Sequence, residues 1–225
     1  MNYADAVTTK LSSKYNISQL TPIDDGINTL YSATTNNNTT LIIKIGTHDP
    51  KSVKIEPYIL RTLQENNIPT PKIIQIGTIN NHPFFVSEKI NGTQLQYPNE
   101  APTEHLEQVS HDIGKKLANI HTIPCSGSGK FIIENNELHS SQTDWNTFYV
   151  TLLDKFAEQS KKNFGELGSQ AKEILYQLNI PPVEKPSLNP LDLHTRNVFV
   201  NDDNEIKGLI DFERVYGAIH DGRLT

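Results

Sequence analysis

The chain has 225 residues, 36% of them hydrophobic and 20% charged, enough for a substantial core in one large domain or two lobes. A formal charge of −6 and a pI of about 5.7 leave no basic field to attract nucleic acid or anionic lipid, and a cationic or neutral small partner suits that sign better. The single cysteine, Cys125, excludes an internal disulfide framework and a CxxC metal site. The opening MNYADAVTTK lacks a secretory pattern and no apolar run approaches the roughly 20 residues of a membrane helix, so a cytoplasmic protein is expected.

The first third reads as strands broken by turns. A turn around Asp25-Gly26 separates two runs that can pair, and Asn36-Asn37-Asn38 forms a second turn before the β-branched strand Leu41-Ile42-Ile43-Lys44-Ile45. Asp49-Pro50 reads as punctuation. Ile55, Ile59, Leu60 and Leu63 then follow helical spacing, with the regular helix expected to begin near Pro57 and to end before Pro69 and Pro71. KIIQIGTI and PFFVSEKI read as two strands joined by a turn at Asn80-Asn81-His82.

The texture changes after Glu88. Asn91-Gly92, Pro98 and Pro102 make a loop-rich joint, which divides the chain into lobes of 1–90 and 91–225. Leu106, Val109, Ile113, Leu117 and Ile120 mark a helix, and SGSGK (126–130) a flexible loop. Further helices are expected over about 142–162 and 167–178, stopped by Pro181, Pro182 and Pro186.

The stretch LNPLDLHTRNVFVNDDNEIKGLIDFE carries the chemistry. Its runs 197–200 and 206–210 read as strands of a hairpin, with Asn197 at the start of the first and Asp211 at the end of the second. An amide oxygen and a carboxylate brought together there suit a hard cation such as Mg²⁺. Asp192, five residues before Asn197, lies where it can orient or deprotonate a hydroxyl nucleophile.

D-L-H-x-x-N followed by I-D-F-E resembles the active-site signature of aminoglycoside phosphotransferases and related small-molecule kinases. The resemblance implies an α+β, protein kinase-like fold with two lobes: an N-lobe of antiparallel sheet plus one helix that binds nucleotide, and a mainly helical C-lobe. It implies Asp192 as catalytic base, Asn197 and Asp211 as Mg²⁺ ligands, and His194 as a structural loop residue. Lys44 resembles the strand lysine that contacts the phosphates of ATP, and Glu56 the helix glutamate paired with it. Glu88, Lys89 and Ile90 are similar to the connector on which adenine rests, and Gly26 lies in what looks like a reduced phosphate-covering loop. The implied reaction moves the γ-phosphate of ATP, with GTP left open, to a hydroxyl of a small molecule.

Two features depart from the family. Pro190 stands where a histidine usually precedes the aspartate, and the chain ends twelve residues after Glu213, where the family continues into several helices. The expectation is therefore an incomplete C-lobe, with apolar surface on the 106–120 and 143–156 helices open to self-association. Other readings stay open at this stage. The chain is a non-catalytic nucleotide-binding remnant, a metabolic kinase for a sugar, choline or amino-alcohol, or an interaction protein with no nucleotide site. Singly, Asp192 caps a turn, Lys44 snorkels from an edge strand, Glu56 is a first-turn carboxylate, and Arg214 makes a surface salt bridge.

Overall fold

A computed structural model describes residues 3–24, 27–95, 106–142, 144–177 and 185–219. The chain forms two compact units that interleave in sequence, Met1–Asn119 with Asp192–Arg214, and Ile120–Leu191 with Val215–Thr225. The segment 91–225, read as one lobe, therefore contributes to both. Helices and antiparallel sheets occur together, and the fold is α+β.

The first unit opens with a helix, α1 (Tyr3–Tyr15), in a region read as strands. Its buried stripe consists of only Val7 and Leu11, one i,i+4 pair, and a pair that short gives little periodicity to detect. Five strands follow: β1 (Ile17–Ile23), β2 (Thr29–Thr35), β3 (Thr40–Ile45), β4 (Ile73–Ile79) and β5 (His82–Glu88). They form one sheet in the order β1-β2-β3-β5-β4, all neighbours antiparallel. The runs flanking Asp25-Gly26 pair as expected, and left-handed Asn80 and Asn81 make the β4–β5 turn.

Side chains alternate across β3 and divide its functions. Leu41, Ile43 and Ile45 pack with Val7 and Leu11 of α1 in one buried cluster. Ile42 and Lys44 leave the opposite face, with Lys44 held in register between Leu30 of β2 and Phe85 of β5. Lys44 therefore sits in mid-sheet rather than on an edge.

Helix α2 (Pro50–Glu65) begins seven residues before the expected start at Pro57. Asp49 is its N-cap, accepting from the Ser52 N–H, and Pro50 takes the first turn, where its missing N–H costs no helical bond. Asp49-Pro50 is thus a helix start, and Pro57 is accommodated inside the helix and buried. Gln64 and Asn66 side chains satisfy carbonyls near the C-terminal end.

Beyond β6 (Thr93–Gln94) lies α3 (Leu106–Ile120), whose last residue begins the second unit. The expected hairpin is present as β10 (Val198–Val200) and β11 (Ile206–Leu209), preceded by a 3-10 turn over Thr195–Asn197. With β6 it makes a three-stranded sheet, β11-β10-β6. A bond from the Leu209 N–H to Pro69 O joins the hairpin to the segment before β4.

The second unit contains two helices, α4 (Trp145–Phe164) and α5 (Glu166–Gln177), close to the expected spans. It also holds a four-stranded antiparallel sheet, which the sequence reading missed. Strands β7 (Ser128–Glu134), β8 (Glu137–Gln142), β9 (Pro186–Pro190) and β12 (Val215–Ile219) run in the order β8-β7-β12-β9. SGSGK is accordingly not a free loop, because Ser128 starts β7. Of the prolines that read as breakers, Pro186 opens β9, an edge strand, where a missing N–H is tolerated, and Pro181 and Pro182 lie outside the described residues.

Phe156, Phe164, Leu167 and Ile174 of α4 and α5 are exposed. Helix α3 differs from expectation, since Val109 and Ile120 are buried and Ile113 and Leu117 half-buried. Among the described residues no helix is long and apolar enough to cross a membrane.

Candidate active site

Every described residue singled out for chemistry lies in the first unit. Lys44 is 8% exposed and its ammonium meets three carboxylates. Nζ lies 2.8 Å from Glu56 Oε2, 3.1 Å from Asp211 Oδ1 and 2.6 Å from Glu213 Oε1. Strand β3 delivers the lysine, the second turn of α2 delivers Glu56, and the turn after β11 delivers the other two.

Burial opposes the Lys44 charge most strongly, but the combined fields of the three carboxylates outweigh it and raise its pKa well above the ordinary lysine value. Glu56 is 2% exposed, and burial pushes its carboxyl up to about 7 against the opposing pull of Lys44.

Asp211 has φ of 64°, the left-handed region, where a short polar side chain is tolerated better than most. That turn sends residues 211 and 213 back toward β3. The Ile210 N–H donates to Asn197 O at 2.9 Å, so Asn197 and Asp211 are brought together by the hairpin ladder. Asn197 is buried, and its Nδ2 donates to the Asp192 backbone carbonyl at 2.9 Å. Asn197 thereby fixes the loop that bears Asp192. The Asp192 carboxylate is partly exposed and lies 3.5 Å from Arg214 Nη1. His194, at the surface, stands 3.4 Å from the Asn197 amide nitrogen.

These groups border a cavity of about 430 Å³. Its apolar wall includes Leu30, Ile42, Phe85 and Ile210, and its polar wall Lys44, Glu56, Asn197, Asp211 and Asp192. Glu88, Lys89 and Ile90 line the same cavity. The Glu88 N–H donates to Lys72 O and the Lys89 N–H to Thr40 O, so both are engaged within the protein. Gly208 permits the close approach of Ile90, since a Cβ there would lie 2.4 Å from Ile90 Cδ1. Gly26 lies outside the described residues.

Carboxylate oxygens of Glu56, Asp211 and Glu213 lie within 4.8 Å of one another. An all-oxygen donor set, with Asn197 lining the same cavity, fits a hard divalent cation such as Mg²⁺.

Sequence reasoning missed Glu213 as a partner of Lys44, although it lies in the quoted I-D-F-E run. No local signal marked it, because residues 211–213 form a turn in which Asp211 is left-handed, and strand alternation does not apply there. It placed Asn28 only in the phosphate-covering loop Asp25-Gly26-Ile27-Asn28, and the surface salt bridge expected of Arg214 is made with Asp192.

The sequence profile of the Phosphotransferase enzyme family (APH) matches residues 19–216. The chain belongs to that family. No curated protein sequence matches significantly. Among solved structures, aminoglycoside phosphotransferase APH(4)-Ia superposes with a TM-score of 0.74 at 18% identity, over 95% of this chain and 72% of that one. A thermostable mutant of the same enzyme, in ternary complex with ADP and hygromycin B, gives a TM-score of 0.71 at 18% identity, covering 94% and 72%. A candidate fructosamine-3-kinase from Haemophilus somnus 129PT gives 0.61 at 18% identity, covering 96% and 72%. The fold is therefore the protein kinase-like fold of small-molecule phosphotransferases.

Proposed function

We propose that this protein transfers the γ-phosphate of a nucleoside triphosphate to a hydroxyl of a small molecule. ATP is the donor favoured here, with GTP as its alternative. The observation that carries the reading is the buried lysine of β3, bonded at once to the α2 glutamate and to the two carboxylates after β11.

Phosphoryl transfer asks for positioning and charge neutralisation more than for covalent chemistry. Lys44 is the cation for phosphate oxygens, and Glu56 sets its direction from a rigid helix. Asp211 and Asn197 would hold Mg²⁺, and when bound the ion supplies further neutralisation of phosphate charge. The apolar wall of Leu30, Ile42 and Phe85 suits the faces of a purine. With the Glu88 and Lys89 N–H groups engaged, base recognition rests on Ile90 and the carbonyls of this connector. Asp192 is the residue to accept the hydroxyl proton, its carboxylate open to the cavity and its loop held by Asn197.

The acceptor class spans aminoglycoside-like molecules and hydroxylated metabolites. APH(4)-Ia has been seen with hygromycin B, and the fructosamine-3-kinase candidate represents the metabolic branch. The reading is tested with γ-labelled ATP, Mg²⁺ and a panel of aminoglycosides, sugars and amino-alcohols. Label should move to at least one acceptor with the wild type and not with Asp192→Asn. Nucleotide binding without transfer to any acceptor, unchanged by that substitution, would point to a non-catalytic protein.

A further inference from the structure

Asn28 immediately precedes β2 and is 7% exposed. Both ends of its side-chain amide are bonded. Oδ1 accepts from the backbone N–H groups of His48, at 3.2 Å, and Asp49, at 3.0 Å, the two residues that lead into α2. Nδ2 donates to Glu213 Oε1 at 3.0 Å, the same oxygen that lies 2.6 Å from Lys44 Nζ. The orientation of the amide follows from these partners, because two N–H donors face one end and a carboxylate faces the other.

One side chain thus joins three segments that are remote in sequence: the residue before β2, the head of α2 and the turn after β11. Strand β2 does not need these bonds for its own pairing, since its ladder to β3 runs through the backbone from Thr29↔Ile45 onward. The contacts close a ring. Asn28 holds the head of α2, α2 carries Glu56, Glu56 bonds Lys44, Lys44 bonds Glu213, and Glu213 returns to Asn28. A carboxylate at position 28 would keep the acceptor side but repel Glu213, and alanine would open the ring at both ends.

We infer that Asn28 is a positioning residue that clamps Glu213 to the head of α2 and so fixes the direction of the Lys44 ammonium for phosphate. The inference rests on the nucleotide reading above and adds to it a residue that acts through Glu213.

The test is calorimetric titration of Mg·ATP into the full chain, with the thermal midpoint without nucleotide as a separate measure of folding. The proteins are the wild type, Asn28→Ala, Asn28→Asp, Glu213→Gln and the double variant Asn28→Asp/Glu213→Gln. Asn28→Ala and Asn28→Asp should each weaken Mg·ATP binding about 10- to 100-fold, the range for a hydrogen bond to a charged group. The double variant should regain most of the loss caused by Asn28→Asp, because the introduced glutamine amide can donate to the introduced carboxylate. Glu213→Gln reports from the other end of the bond should the alanine variant fail to fold.

Unchanged affinity in the Asn28 variants, with only a lowered thermal midpoint, would overturn the inference and leave a structural role. Losses that simply add in the double variant would overturn it too. A wild type that does not bind Mg·ATP would contradict the nucleotide reading itself, and the inference with it. The two failures are therefore distinguishable.

Discussion

Glu213 Oε1 stands 2.6 Å from Lys44 Nζ, nearer than the Glu56 oxygen at 2.8 Å or the Asp211 oxygen at 3.1 Å. A buried ammonium with three carboxylates leaves local negative charge in surplus. That surplus makes Lys44 a structural cation as well as a candidate phosphate ligand, and it makes the site receptive to a second cation.

Removing Lys44 should therefore cost more than removing any one of its partners. Lys44→Ala leaves Glu56, Asp211 and Glu213 facing one another, and breaking a buried pair from one side typically costs about 3–5 kcal/mol. Urea denaturation in EDTA should show a loss of that order, and added Mg²⁺ should return part of it. A variant as stable as the wild type in EDTA would mean that the three carboxylates do not depend on the lysine.

Asp192 engages Arg214 and Asn197 rather than Lys44 or its carboxylate partners, so its loss should separate binding from chemistry. Asp192→Asn should bind Mg·ATP within a few-fold of the wild type while phosphate transfer falls about 10²- to 10⁴-fold. Equal losses in binding and turnover would place Asp192 in nucleotide binding instead.

The raised pKa of Glu56 sets a pH signature with a definite sign. The folded state holds its proton up to about 7, against an ordinary value of 4.5, so folding takes up a proton between these limits. This contribution to stability is complete below pH 4.5 and is lost as pH rises through about 7. Glu56→Gln removes the dependence. The stability of the variant relative to the wild type should rise across this window by about 3 kcal/mol and then level off. Denaturation midpoints of the two proteins from pH 4 to 8 measure it, and parallel curves would show that Glu56 titrates normally.

The exposed side chains of α4 and α5 lead to a prediction about assembly. Phe156 is 54% and Phe164 66% exposed, with Leu167 and Ile174 exposed on the adjoining helix. Burial of a phenylalanine contributes about 1.5–3 kcal/mol, so a contact using both should respond strongly to their removal. Sedimentation velocity should show concentration-dependent self-association of the wild type, reduced at least tenfold by Phe156→Ser/Phe164→Ser. A wild type that stays monomeric throughout would show that this face makes no self-contact.

The residues legible in the sequence were those whose type and spacing are both constrained. Asp192, Asn197 and Asp211 sit around a hairpin, and its two strands and turn are visible as a β-branched run, a polar break and a second apolar run. Lys44 was singled out by its order before Glu56 and Asp192, since the apolar strand alone also allowed an edge residue reaching solvent. Glu213 and Asn28 were not, because their roles arise from contacts across 169 and 185 positions of sequence. A short polar residue after a turn and a glutamate after a strand are ordinary locally.

Fold elements failed for related reasons. Helix α1 shows only Val7 and Leu11 as its stripe, and β9 is bounded by prolines that an edge strand can accept. Helix α2 was displaced because Pro57 looked like a helix start, whereas the start signal was Asp49-Pro50.

Lys44, Asp211 and Asn197 are proposed as the site for a metal-bound nucleotide. That assignment is tested most directly by the thermal midpoint of the wild type and of Asp211→Asn, each with and without Mg·ATP. At a hundredfold excess over Kd the ligand should raise the wild-type midpoint by about 5–10 °C. The Asp211→Asn midpoint should move little. Equal shifts in both proteins, or no shift in the wild type, would contradict it.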